Sequence, residues 1–227
     1  MSFEAFYNGA VHHPGQLWAV AAAATLYAAT RRDLDPGLWR YCVALGALSV
    51  VDAWLTSSEP YGLGPLDGAA ASAVPLFFVI AGDLRFLVLA LAATPDGRLP
   101  LAPARLAAAA GLSLVVPIVS QLVVWALPDS LASARALYLV YELLFFALAA
   151  ALAAAHPNLR RAPWLRDLSR FVMLYYGLWA AADVWILATG SDLGFALRLV
   201  PNLLYYGGLI AAIAWLAPRH PPTGGTP

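Results

Sequence analysis

The chain contains no lysine. All 13 of its basic side chains are arginine, so no lysine is present to form a Schiff base. It has a single cysteine, Cys42, inside an apolar run. That excludes an internal disulfide framework and a cysteine-based metal site. The four histidines avoid the interiors of the apolar segments: His12 and His13 stand at the entry to the first, His156 closes the fifth, and His220 lies near the C-terminus. A di-metal desaturase or hydroxylase needs many histidines, and His12-His13 have no third ligand nearby in sequence, so no metal site is expected. Charge is scarce too. Only 11% of residues are charged and 62% are hydrophobic, whereas a soluble domain carries roughly a quarter charged residues. The formal net charge is zero, which gives no reason to expect nucleic-acid binding. No catalytic triad, phosphate loop or haem ligand pair is visible, and no cofactor is expected.

What the chain has is a series of long apolar runs. A helix needs about 20 such residues to cross the hydrocarbon core. Seven segments qualify, at 13–30, 37–57, 69–93, 103–127, 132–155, 168–189 and 194–217. Turn-forming stretches separate them, among them Ser58-Glu59-Pro60 with the Gly/Pro residues that follow, and Thr94-Pro95-Asp96-Gly97. This predicts an all-α, multi-pass protein with one transmembrane domain over 1–217, a disordered tail over 218–227, and the lipid bilayer as its first partner. The start, Met1-Ser2-Phe3-Glu4-Ala5, has an acid where a signal peptide carries basic residues. No cleaved signal is expected, and the first segment is read as its own insertion signal. Arginines crowd alternate loops: Arg31, Arg32 and Arg40, then Arg98 and Arg105, then Arg160, Arg161, Arg166 and Arg170, then Arg219. The intervening loops hold only Arg135, with Arg198 just inside the last segment. The N-terminus is therefore expected outside and the C-terminus in the cytoplasm, in a membrane of the inner, cytoplasmic type.

Acids inside apolar helices are costly and point to function. Here they are Asp52, Asp83, Glu142 and Asp183. At about 1.5 Å of rise per residue, Asp52, Gln121, Glu142, Asp183 and Asn202 all fall roughly 20–24 Å from the cytoplasmic ends of their segments. They define one polar layer. Asp83 and Arg85 are two apart, on opposite faces of their helix, and should not pair. Arg85 points toward the layer and is expected to take Asp52, Glu142 or Asp183 as its partner. Tyr176 and Trp179 share a face with Asp183, and Ser49 and Thr56 share one with Asp52. Tyr138 precedes Glu142 by one turn, and Tyr205 and Tyr206 follow Asn202. The expected binding set is Asp52, Asp83, Arg85, Glu142, Tyr176, Trp179, Asp183, Asn202 and Tyr205. Trp54 and Trp185 fit an interfacial belt. Pro75, Pro117 and Pro201 mark hinges or static kinks.

The second and third segments overlay the sixth and seventh. Arg40-Tyr41 matches Arg170-Phe171, Asp52-x-Trp54 matches Asp183-x-Trp185, and Val74-Pro75 matches Val200-Pro201. The implied plan is a parallel 3+1+3 repeat, with halves 13–93 and 132–217 joined by the helix 103–127. That plan, with Pro201-Asn202 on the last helix, resembles the SWEET and PQ-loop carriers. The resemblance implies a solute site between the halves, facing that Pro-Asn pair. The chain departs from the family in having no Pro-Gln pair and in carrying Pro75-Leu76 in its first half. Microbial rhodopsins share seven helices but need the lysine this chain lacks. Trp164-Leu165 with Leu168-Ser169-Arg170-Phe171 resembles the sixth helix of small membrane-bound terpene cyclases, and Asp52 fits their acid on the second helix. The last helix, however, offers Asn202 where they carry an acid. Glu142-Leu143-Leu144-Phe145-Phe146 is similar to a fragment of the small lycopene cyclases, without the paired acid and preceding proline.

Two functions follow as expectations. One is a carrier or solute-binding membrane protein, with protonation of a carboxylate coupled to movement at Pro75 and Pro201. The other is a membrane enzyme of cyclase or isomerase type acting on a lipid or isoprenoid. There Asp52, Glu142 or Asp183 would be a general acid kept protonated by an apolar pocket, with aromatic rings stabilising carbocations.

Overall fold

A helix inside a bilayer satisfies its own backbone, so an apolar chain of this kind has helices as its natural elements. The structure, a computed structural model, describes residues 2–7, 15–57, 62–63 and 66–220. Every regular element among them is helical: α1 (Phe3–Tyr7), α2 (Gly15–Thr30), α3 (Pro36–Leu55), α4 (Ala70–Ala92), α5 (Pro103–Trp125), α6 (Ala134–Ala155), α7 (Pro157–Arg161) and α8 (Pro163–Thr189). The last run is segmented into α9 (Leu193–Leu197), α10 (Leu199–Leu203), a π-helical turn (Leu204–Gly208) and α11 (Leu209–Leu216). Six helices are long and apolar enough to cross a membrane: α3, α4, α5, α6, α8 and the run Leu193–Leu216. The chain is a helical, multi-pass membrane protein. The described part of the first predicted segment, α2, has 16 residues. It buries Leu17, Ala21, Ala24 and Ala28. It approaches α3 so closely that a Cβ on Gly46 would lie 1.8 Å from Thr25 Oγ1, the small-residue contact by which apolar helices associate in lipid. His12, His13 and most of the predicted 58–65 loop lie outside the described residues.

The sequence explains where helices begin. Asp35 caps α3, accepting from the backbone N–H groups of Gly37 (3.0 Å) and Leu38 (3.2 Å), with Pro36 in the first turn. Ser133 caps α6 by accepting from Ala136 N at 3.1 Å. Pro163 opens α8 five residues earlier than the apolar run at 168 predicts. Buried Trp164 and Leu165 pack that extra turn on the core, so Arg166 belongs to the helix and not to a loop.

The last run was expected to be one helix. It breaks because Pro201 has no N–H to give the carbonyl of Leu197 and its ring crowds that carbonyl. One turn later the π-helical residues bring Gly207 against α2, where a Cβ would lie 2.5 Å from Val20 Cγ1. An extra residue in the turn at such a close approach is the usual setting of a π-bulge.

The two ends of the bundle differ. Asn158 Nδ2 donates to the carbonyl of Leu91 at 3.1 Å, Trp164 Nε1 to that of Thr94 at 3.2 Å, and Arg105 Nη1 to that of Ala92 at 3.1 Å. Apart from Arg85, Arg135 and Arg198, the arginines stand at this end. The tail expected to be disordered from 218 is held here at first: His220 N donates to the carbonyl of Asp33 at 2.6 Å, and Arg219 comes within 3.6 Å of its carboxylate. Residues 221–227 lie outside the described residues. Arg31 bonds Asp33 at 2.8 Å and holds that carboxyl below its ordinary range. Burial, followed by the nearby Arg105, holds His156 below the usual imidazole value. At the opposite end α1 lies on α9, with the Tyr7 and Phe195 rings 5.7 Å apart and Phe3 N donating to Asp192 Oδ2 at 2.7 Å.

α4 links the two ends. Its second half is the staff of the core, with Phe86, Leu87, Val88, Leu89, Ala90 and Ala92 all buried. Its first half leaves the bundle: Leu76 is 53% and Phe77 57% exposed. α5, which packs mainly on α4 and α6, leaves with it.

Candidate functional site

Where α4 and α5 part from the other helices, they leave a cavity of about 420 Å³. Pro75 and Pro117, each inside its helix, line the departing side. The facing side is built by the ends of α3, α6, α8 and the segmented helix, closed by Tyr7 of α1. The segmentation puts Arg198, Asn202, Tyr205 and Tyr206 on this wall. A chain that abandons regular helix at membrane depth does so where it lines a cavity or a protein-buried site.

The wall is aromatic. Tyr176 and Trp179 have ring centroids 5.5 Å apart, Trp179 and Tyr205 5.2 Å, and Tyr205 and Tyr206 5.1 Å. Trp179 Nε1 donates to Asn202 Oδ1 at 2.8 Å, and Asn202 Nδ2 donates to the Tyr7 hydroxyl at 2.9 Å. That fixes which way the Asn202 amide points.

The charged groups fall into two sets. In the first, Arg198 donates to Glu142 Oε1 at 3.3 Å and to Asp183 Oδ1, and Arg135 donates to Asp183 Oδ1 at 3.2 Å. Glu142 Oε2 and Asp183 Oδ2 are buried without a hydrogen-bond partner. Glu142 lines the cavity; Asp183 stands behind it, joined to it through Arg198. In the second set, Asp83 accepts from the hydroxyls of Tyr176 (2.6 Å) and Tyr141 and does not reach the cavity itself. Asp52 lines the cavity beside Thr56 and Tyr206.

Arg85 does not take the carboxylate partner expected for it. Its Nη1 donates to Ser49 Oγ at 2.7 Å, its guanidinium stacks 4.0 Å from the centroid of Tyr205, and Nη2 has no partner. Ser49 lies one turn closer than Asp52 along α3, and the face of an aromatic ring accommodates a buried guanidinium. Arg85 and Asp52 share a narrow side crevice with Ser49, Gly82 and Tyr205.

No protein-family model, curated protein or solved structure matches the chain. Its chemistry is read from the site alone. The predicted residues Asp52, Glu142, Tyr176, Trp179, Asn202 and Tyr205 meet on one cavity, together with Gln121 and Tyr138. Asp83, Arg85 and Asp183 stand behind them. Among the described residues no group of three or more His, Cys, Asp or Glu side chains is placed to hold a metal ion. Sequence reasoning missed Arg198, Arg135 and Tyr7. The arginines carried a signal: both stand on the arginine-poor side, where a cation has no role in orientation and needs an acid. Tyr7 carried none, because α1 is too short and too far from the apolar runs to be placed from sequence.

Proposed function

We propose that this protein is a seven-helix carrier or solute-binding membrane protein, with α2 as the first span, an external N-terminus and a cytoplasmic C-terminus. Its site is the cavity between the α4–α5 arm and the rest of the bundle. One observation carries the reading: a cavity large enough for a metabolite, between the apolar helices, is lined by buried carboxylates and aromatic rings at the break in the last helix. Intramembrane ionisable residues of this kind mark solute, ion or proton paths. The parallel 3+1+3 plan would make α2–α4 one half, α5 the linker, and α6 with α8 and the segmented helix the other half. Movement at Pro75 and Pro117 would then open and close the cavity, with a proton on one carboxylate as the coupling ion. Sealed proteoliposomes test this. Saturable movement of a solute or of protons across a broad panel is expected. No movement and no binding of any solute would overturn it.

A second reading is favoured by the half-exposed Leu76 and Tyr138 at the cavity rim, which offer a path from lipid. In it Glu142 or Asp52 acts as general acid on a lipid or isoprenoid. Such an enzyme would retain that lipid unconverted in a Glu142→Gln variant.

A further inference from the structure

We infer that the solute of this cavity is a small organic cation, a protonated amine or quaternary ammonium. The inference rests on the solute-binding reading and names its chemical class. It begins with the buried charges. Four acids, Asp52, Asp83, Glu142 and Asp183, are each no more than 5% exposed. Three arginines face them: Arg85, Arg135 and Arg198. Arg135 and Arg198 balance Asp183 and Glu142 through the contacts already described. Arg85 is left to serve both Asp52 and Asp83, and it lies within ion-pair distance of neither. With all four acids ionised, the set carries one more negative charge than positive. A buried carboxylate without a counterion is strongly unfavourable and is relieved either by a proton or by a nearby cation; a cationic ligand supplies the second.

The orientation of the free groups agrees. Glu142 lines the cavity and its Oε2 is buried with no partner. Asp52 lines the same cavity, and no arginine comes within ion-pair distance of it. Glu142 thus has acceptor capacity toward the cavity, and Asp52 stands on the same cavity without an arginine beside it. Arg198, the one arginine among the described residues that line the cavity, is already engaged by two acids, so an anionic ligand would meet two carboxylates and no uncommitted arginine. The walls complete the argument. Tyr138, Tyr141, Tyr176, Trp179 and Tyr206 line the space, and the faces of such rings attract cations. Arg85 already uses the face of Tyr205 in this way.

The test is binding to the full-length protein in lipid nanodiscs, by calorimetric titration. The probes are choline, tetramethylammonium and benzylamine, set against 3,3-dimethylbutan-1-ol, which has the shape of choline without its charge, and against a panel of neutral sugars. At least one cation is expected to bind saturably, about tenfold or more tighter than the neutral alcohol. Glu142→Gln and Asp52→Asn should each weaken that binding by about tenfold. Tyr138→Leu changes a half-exposed ring that the fold does not need; it should weaken cation binding several-fold, while Tyr138→Phe retains it. Equal binding of the alcohol and choline would overturn the inference, as would cation binding unchanged in all three weakening variants. Binding of a sugar but of no cation would overturn it and leave the solute-binding reading standing. If no probe binds and the proteoliposomes move nothing, both fall.

Discussion

Asp52 and Asp183 occupy matching sequences, Asp-Ala-Trp on α3 and Asp-Val-Trp on α8. Both carboxylates are buried, and the tryptophans that follow, Trp54 and Trp185, are 46% and 43% exposed on the outer surface. Their surroundings differ. Asp183 is held by Arg135 and Arg198, whereas no arginine reaches Asp52. The difference follows from the two prolines. Pro201 breaks its helix and turns Arg198 inward onto Asp183. Pro75 leaves α4 continuous, and that helix brings no cation within ion-pair distance of Asp52. One acid has become a tie between helices, and the other remains open to a ligand.

The comparison breaks first at Asp183. Asp183→Ala leaves two arginines without their shared acid, and removing one partner of a buried pair costs about 3–5 kcal/mol. Thermal unfolding in detergent should show a large fall in midpoint or loss of folded protein. Asp52→Asn should shift the midpoint far less. Equal falls would erase the distinction. Next is Gly207→Ala. Its Cβ would meet Val20 Cγ1 at 2.5 Å and the Val20 carbonyl at 2.9 Å, and overpacking of that kind costs about 1–3 kcal/mol; the same melt reads it. Ser49→Ala removes the side chain that bonds buried Arg85, at a cost of about 1–3 kcal/mol.

Pro201→Ala sharpens the contrast between the prolines. It restores the N–H for Leu197, lets the helix run through, and should reduce ligand binding with little loss of stability. Pro75→Ala should do less, since α4 is already regular. Isotherms for the two variants decide between them.

The smallest effect is at the arginine-rich end. Arg31 holds the Asp33 carboxyl below its unfolded value of about 4. The stabilisation is therefore present above that value and is lost as pH falls through the lower, folded value. With Asp33 exposed to solvent it amounts to less than about 1 kcal/mol. Asp33→Asn should shrink the difference in unfolding midpoint between neutral and strongly acid pH by that small amount.

The helical, multi-pass character was legible because lipid imposes one rule on every span: apolar length. The acids were legible because each interrupts an apolar run. Which cation meets which acid was not. Arg85 is expected to point up to the layer that holds Asp52, yet its guanidinium goes to Ser49 and Tyr205. Arg198 stands at the break between α9 and α10, and depth counted along regular helices cannot anticipate an irregular one. The cavity beside α4 and α5 depends on packing between helices whose sides are mostly small or aliphatic. Such sides have too little pattern to declare their neighbours.

The most direct measurement is mass spectrometry of small molecules retained by the gently purified protein, native against Asp52→Asn and Glu142→Gln. The account predicts a retained solute in the native protein that both variants lose while remaining folded. A cavity empty in all three, or a solute retained equally by all three, would contradict it.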